Sequence, residues 1–299
     1  MTQYPIPNKS TWESHMLSFG QTYLDLMRSQ APNLRDTFYD AEKVYANLRE
    51  YTNDPKWDEG MQLAEEGYRD GYVIPNNGNI LGYWVFSAGL FKDWARNGDT
   101  ISKDAVHKLA VNSAYAANGV PLTYLYPTSL CREVAYALRS HIDDERCGVA
   151  PRAQTTVLRN ASKSHLDQWF LSRSDPAYYP FWAGLAFRSL IDAMEKYPDP
   201  QVVQIVKSSC DWLWANAWLP ASQAFRYAYN DATPSPDLNL LIAPAFAWLY
   251  IVTGQAQYRT NGDAIWSGGV LGAWLGDQKH FNQNYLWSFD YVVWREAGI

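Results

Sequence analysis

The sequence predicts an all-α protein assembled from about six helical hairpins. Three observations predict it. Alternating strand patterns are sparse, and helix-like segments of about 15 to 20 residues recur between turn signals. The turns themselves repeat. Asn97-Gly98-Asp99, Cys147-Gly148, Tyr197-Pro198-Asp199 and Thr253-Gly254-Gln255 follow one another at intervals of roughly 50 residues, and Asn53-Asp54-Pro55 stands one shorter step earlier. Two helices per interval is the pattern of stacked α-hairpins, each covering its neighbour's apolar face. About six such units can close into a ring of inner and outer helices, an (α/α) toroid.

Taken in order, helices are expected over 11–30 and 34–51, before the Asn53-Asp54-Pro55 turn, and over 57–70 and 79–97, before Asn97-Gly98-Asp99. Next come 102–118 and 128–145, ended by Cys147-Gly148, then 155–172 and 178–197, ended by Tyr197-Pro198-Asp199. A helix over 200–217 leads into WLPASQAFRYAYNDATPSP, residues 218–236, where Pro220, Pro234 and Pro236 interrupt helix and Ala224 to Tyr229 reads as a short β-excursion. This is the longest helix-poor stretch, and long loops in compact domains are often functional. The helix expected over 237–254 contains the apolar run Leu238 to Val252, shorter than the ~20 residues of a membrane span and interrupted by Asn239 and Pro244. It reads as buried. Helices over 257–275 and 281–296 end the series, and with no long linker the expectation is a single domain, 1–299.

Composition narrows the class. With 299 residues, 47% hydrophobic and 19% charged, the chain can bury a large core, and 14 Trp and 21 Tyr make aromatic surfaces plentiful. The net charge of −6 is spread evenly, without the basic face that nucleic acid requires. Cys131, Cys147 and Cys210 are odd in number and lack CxxC spacing, which argues against a disulfide framework and a zinc site and for a reducing compartment. No His cluster, P-loop, GxGxxG or GxSxG occurs, so no metal and no cofactor is expected. The N-terminus MTQYPIPNKSTWESHM lacks a basic region followed by an apolar run. As given, the chain reads as cytoplasmic, or as secreted or periplasmic if a signal was removed.

The cadence of AFAWLYIVTGQAQYRTNGDAIWSGGVLGAWL, a Trp-rich helix, a TGQ turn and a second helix opening near a Tyr, is repeated in SAGLFKDWARNGDTISKDAVHKLA and GLAFRSLIDAMEKYPDPQVVQIVKSSCDWLWANA. It resembles the hairpins of the six-hairpin (α/α)-toroid superfamily of glycan-active proteins, across most of 79–298. That superfamily includes glycoside hydrolases, unsaturated glucuronyl hydrolases, sugar epimerases and polysaccharide lyases. The resemblance implies an oligo- or polysaccharide partner without selecting a reaction.

In such a ring, inner-helix ends and the loops before them surround a central cavity. Candidates at those positions are Asn76, Asn77, Tyr83 and Trp84; Thr128, Arg132 and Glu133; Tyr178, Tyr179 and Trp182; and Asp237 and Asn239. The terminal stretch HFNQNYLWSFDYVVW adds Asn282, Asn284, Tyr285 and Trp287. Pyranose rings stack on Trp or Tyr, and their hydroxyls pair with Asn, Asp, Glu and Arg. The plainer alternatives are helix caps at Asp237 and Asn282 and a packing stripe at Trp287, Tyr291 and Trp294.

Glycosidic hydrolysis calls for two carboxyl groups, one giving a proton to the leaving oxygen and one activating water or attacking. Glu133, Asp237, Asp70 and Asp290 are available, and Asp237 with Glu133 is the preferred pair, although an ion pair with Arg132 is the simpler role for Glu133. Trp84, Trp182, Tyr285 and Trp287 would stack on sugar. A uronate lyase would instead draw on Arg132, Asn239, Asn284, Tyr285 and His165, with His165 more ordinarily a packed or surface histidine. A glycan-binding or scaffold protein without catalysis would keep the aromatic residues alone.

Overall fold

Helix dominates the chain, and much of the reason is local. A computed structural model describes residues 4–297; Met1–Gln3 and Gly298–Ile299, the ends of the expected domain, lie outside the described residues. In order, the α-helices are α1 (Lys9–Ser29), α2 (Ala41–Thr52), α3 (Trp57–Glu65), α4 (Ala88–Asn97), α5 (Thr100–Asn112), α6 (Leu122–Leu125), α7 (Cys131–Arg146) and α8 (Ala153–Leu166). They continue with α9 (Pro180–Ala193), α10 (Pro200–Asn216), α11 (Ala243–Thr253), α12 (Ala256–Leu271), α13 (Gln278–Tyr285) and α14 (Ser288–Ala297). Wider π turns extend α3 over Glu66–Val73 and α8 over Asp167–Leu171.

The turn residues set the boundaries. Asp99 accepts from the Ile101 and Ser102 amides to cap α5, Asp199 caps α10 ahead of Pro200, and Asp277 caps α13. Each such cap stabilises its helix by about 1 kcal/mol. Gly98 and Gly254 end α4 and α11 at φ of 73° and 66°, in the left-handed region where glycine is unstrained.

Tertiary packing follows the hairpins. Helix α2 packs on α4, α4 on α7, α7 on α9, α9 on α11, and α11 on α14, while α13 returns to α1 and α2. Against this series, α3 packs on α2, α5 on α4 and α7, α8 on α7 and α9, α10 on α9 and α11, and α12 on α11. The two ends of the chain are joined. Trp12 Nε1 donates to Ser288 Oγ at 3.1 Å, Tyr285 donates to the Trp12 carbonyl at 2.8 Å, and Tyr23 donates to the Leu275 carbonyl at 2.5 Å. Trp12, Trp266, Tyr285 and Tyr291 are all buried in this seam, with Trp266 stacked on Tyr291 at 4.6 Å.

The helix-poor stretch is a small antiparallel sheet, β1 (Trp218–Leu219), β2 (Ala224–Ala228) and β3 (Asp231–Pro234), in that order. Trp218 pairs with Phe225 and Ala228 with Asp231, with an irregularity between Arg226 and Ala228. The β-excursion expected over 224–229 is strand β2. Among the described residues no helix is long and apolar enough to cross a membrane.

Several expected helices begin late or break, those over 128–145 and 237–254 after a 3₁₀ turn, and in three others the reason is tertiary. The one over 34–51 opens with a 3₁₀ turn, Leu34–Thr37, and then reverses at Tyr39 and Asp40, whose φ values of 62° and 57° are left-handed. Asp40 there caps α2 and accepts from the Gly89 amide at 3.2 Å. Only glycine fits at 89, because a Cβ would lie 2.6 Å from both Asp40 Oδ1 and Glu42 Cβ. In the segment over 79–97, helix starts only at Ala88. Tyr68 organises the preceding loop by donating to the Trp84 carbonyl at 2.5 Å and accepting from the Phe86 amide at 2.8 Å. The segment over 281–296 divides at Leu286 and Trp287, where Lys43 Nζ donates to the Leu286 carbonyl at 2.5 Å. The short helix α6 was not expected, and the helix over 102–118 stops at Asn112.

Candidate functional site

The first turns of α7 and α9, the 3₁₀ turn Gly82–Trp84 and the 3₁₀ turn Pro236–Leu241 supply five of the expected residues: Trp84, Arg132, Glu133, Trp182 and Asp237. Arg132 is the hub of these. Its guanidinium lies over the Tyr83 ring at 5.3 Å and the Trp182 ring at 5.4 Å, and donates to Glu133 Oε1 at 2.7 Å. Trp182 packs on Tyr179 with centroids 4.3 Å apart, and Tyr179 meets Tyr227 edge-on at 6.2 Å. Trp84 meets Phe38 edge-on at 4.5 Å. Tyr83, Trp84, Tyr179 and Trp182 are partly buried and Tyr227 is exposed, so ring surface remains accessible.

Three buried polar atoms here have no hydrogen-bond partner: Glu133 Oε2, the Tyr136 hydroxyl and Trp182 Nε1. Glu133 is 8% and Tyr136 5% exposed, so both side chains are largely withdrawn from bulk solvent. Burying such groups unpaired costs about 1–3 kcal/mol each. Burial pushes the Tyr39 hydroxyl up to about 12 against the pull of the Arg132 charge, with Tyr227 and Asp237 adding to the rise. Burial likewise raises Tyr136 well above its usual range, with Tyr39, Glu133 and Asp40 adding to the rise and Arg132 opposing it. Tyr39, Tyr136, Arg132, Glu133 and Asp237 therefore interact electrostatically, and the tyrosines are neutral donors at ordinary pH. Asp237 is partly buried; its carbonyl accepts from Gln283 Nε2 at 3.0 Å.

The other expected residues hold partners elsewhere, although Asn282 Oδ1, Asn284 Oδ1 and Trp287 Nε1 are also buried without a hydrogen-bond partner among the described residues. Asn239 is fully buried, donating to the Gln223 and Ile265 carbonyls at 2.8 and 3.1 Å and accepting from the Phe225 amide. Asn282 donates to the Asp36 and Phe38 carbonyls, both at 2.9 Å, and so holds the approach to Tyr39. Asn284 donates to the His280 carbonyl at 2.8 Å one turn back on its own helix. Tyr285 belongs to the terminal seam. Trp287 lies under three cations, Lys43 at 3.7 Å, Arg188 at 5.0 Å and Arg139 at 5.2 Å from its ring. Among the remaining candidates, Asp70 pairs with Arg69 at 2.7 Å and Thr128 donates to Asp175. His165 is buried and donates from Nε2 to the Leu125 carbonyl at 2.7 Å.

Tyr39, Tyr136 and Tyr227 were not among the expected site residues. For Tyr136 a signal existed, because it follows Arg132 by four residues and so shares its helix face. Tyr39 and Tyr227 carried none, since a left-handed turn and a short strand bring them in.

The later turns of α2, α7 and α9 border a different feature, a cavity of about 710 Å³ lined by charged side chains. Arg188 Nε donates to Asp290 at 3.0 Å, and Arg139 and Arg146 each meet Asp143 at 3.0 Å. Asp192 pairs with Arg139 and Arg188, and Ser87 donates to Asp143 at 2.7 Å. Burial acts to raise Asp290, but the Arg188 and Lys43 charges outweigh it and hold the carboxyl at about 2.

Comparison of the chain with protein-family models, curated proteins and solved structures yields no match. The chemistry of the site therefore carries the functional argument alone.

Proposed function

We propose that this chain is a carbohydrate-active enzyme that hydrolyses glycosidic bonds of an oligo- or polysaccharide. We further propose that its hairpins close as an (α/α) toroid with the site at the first turns of α7 and α9. The succession α2, α4, α7, α9, α11, α14, with α13 returning to α2, supports the closed ring. One observation carries the functional reading: Glu133, nearly fully buried, gives one oxygen to Arg132 and leaves the other unpartnered among half-exposed aromatic rings.

Such a site suits a sugar. Trp182, Tyr83 and Trp84 offer flat surfaces for a pyranose face, while Tyr136, Trp182 Nε1 and Arg132 offer donors to hydroxyls or ring oxygens. Glu133, ion-paired with Arg132, and Asp237 are the two carboxyl groups that would divide the acid and base roles of hydrolysis between them.

The test is a polysaccharide panel read for new reducing ends. Glu133→Gln and Asp237→Asn should each lower turnover by about 10²–10⁴-fold, the range for loss of a general acid or base, with an unchanged circular dichroism spectrum. Trp182→Ala should raise KM through lost stacking. Binding without turnover in the native chain would leave a glycan-binding protein, and unchanged turnover in both carboxylate variants would remove the assigned acids.

A second reading, β-elimination on a uronate-containing glycan, has one observation in its favour: the partnerless Tyr136 hydroxyl beside Arg132, a proton donor next to a cation suited to a uronate carboxylate. Of the groups first considered for it, Tyr285 already donates to Trp12 and burial holds its proton. An unsaturated product absorbing in the ultraviolet would select this chemistry over hydrolysis.

A further inference from the structure

Away from this site, the packing of α2, α3 and α4 encloses three carboxyl groups, Glu42, Glu65 and Asp93, with one oxygen of each lying within 4.8 Å of the others. Glu42 is 3% and Asp93 5% exposed. Both oxygens of Glu42 and Oδ2 of Asp93 have no hydrogen-bond partner among the described residues. The nearby cation pairs directly with only one of the three, Glu65. Arg69 pairs with Glu65, meets Asp70 at 2.7 Å and Asp99 at 3.2 Å, and donates to Ser102 at 2.9 Å. Asp93 Oδ1 accepts only an amide proton, from Asn97 at 2.7 Å.

Two buried acids without a counter-charge are costly, and proteins relieve that cost by proton uptake or by binding a cation. Burial raises Glu42 well above the usual carboxyl range, and Asp40 and Asp93 add to the rise against Arg69. The geometry accommodates a metal as well as a proton. Both oxygens of Glu42 and Oδ2 of Asp93 stand free, and with an oxygen of Glu65 they gather carboxylate ligands of the kind that calcium takes in flexible geometry, water completing its shell. Magnesium, with its shorter bonds and firmly held waters, suits this dry enclosure less well. Hard oxygen ligands without His or Cys also favour calcium over zinc.

We propose that Glu42, Glu65 and Asp93 form a calcium site that ties α2, α3 and α4 together. The sequence expectation was of no metal, because no His cluster and no CxxC spacing occurs. The site would be structural, linking two neighbouring hairpins and fixing the turn at Asp40 that begins α2. It is independent of the glycan reading.

The experiment is calorimetric titration of calcium chloride into chelator-stripped full-length chain, with magnesium and manganese chloride titrated separately, and melting temperatures recorded alongside. Saturable binding of one calcium per chain, with a raised melting temperature, is the expected result. Glu42→Gln should abolish that heat and the calcium-dependent shift. In metal-free buffer the same variant should melt at or above the native temperature, because the substitution removes a buried charge, and this separates lost binding from lost folding. Asp93→Asn should behave likewise. The proposal is overturned if none of the three cations binds the folded native chain, if only magnesium binds, or if calcium binding survives in Glu42→Gln. The first of these outcomes would make the cluster a proton-sharing set of acids.

Discussion

The early and late turns of α7 and α9 carry different kinds of polar burial. At the late turns, a cavity of about 710 Å³ is lined by Lys43, Arg139, Arg146, Arg188, Asp192 and Asp290, and its acids are paired with cations. At the early turns, Glu133, Tyr136 and Trp182 keep buried atoms without partners. Along α7, whose 16 residues span about 24 Å, the first region begins at Arg132 and Glu133 and the second extends to Arg146, with Tyr136 and Arg139 one turn apart between them. The contrast teaches that room alone does not mark a binding site. A satisfied charge network has little left to offer a ligand, whereas unpaired buried donors and acceptors gain on binding.

The strongest way to break this comparison is to remove one member of the paired network. Arg188→Met would leave Asp290 and Asp192 short of a cation and lift the guanidinium from the Trp287 and Trp294 rings, which it meets at 5.0 and 4.9 Å. The expected loss is about 3–5 kcal/mol in chemical denaturation, as for other broken buried pairs. Glycan affinity of the folded fraction should not change. A matching fall in affinity would make the charged cavity part of the site.

Acid should act on the same network more gently. Asp290 titrates at about 2 in the folded chain, below the ordinary carboxyl value of 3.8, so its ionised form favours folding. The stabilisation is complete above the unfolded value and is lost as pH falls from about 4 to about 2, amounting to ~2 kcal/mol at most. Denaturation midpoints of native chain and Asp290→Asn should converge across that window. Parallel curves would show that the arginines do not hold Asp290 as described.

The smallest effect sharpens the other side. Tyr136→Phe removes a hydroxyl that has no partner, so stability should be unchanged or rise by up to about 1 kcal/mol, while glycan binding weakens. A clear loss of stability would show that the hydroxyl is already satisfied in the unliganded protein and would withdraw it from the site.

Much of the helical framework was legible because its signals are local. Gly98 and Gly254 end helices, Asp99 and Asp199 begin them, and the β-excursion near Ala224 was visible between prolines. Among the candidate site residues, Arg132, Glu133 and Trp182 could be picked out because they stand in the first turns of helices. The terminal stretch was harder to read. Its amides and aromatic rings read as a ligand wall; in the fold the Asn282 amide nitrogen and the Tyr285 hydroxyl donate to the carbonyls of Asp36, Phe38 and Trp12, while Asn282 Oδ1, Asn284 Oδ1 and Trp287 Nε1 have no partner among the described residues. A side chain's type states what it can bond, and only its surroundings state whether it already does.

By itself, then, the sequence determined where many of the helices start and stop, through caps, prolines and glycines that act on their own few neighbours. Tertiary structure decided the rest. It broke the last segment at Trp287, where no glycine or proline stands, because Lys43 from a distant helix takes the Leu286 carbonyl. It brought Tyr39 and Tyr136 to interact with Arg132, and it gathered Glu42, Glu65 and Asp93. Helix periodicity and capping are short-range, but partnership and desolvation depend on residues far apart in the chain, so no local window of sequence contains them.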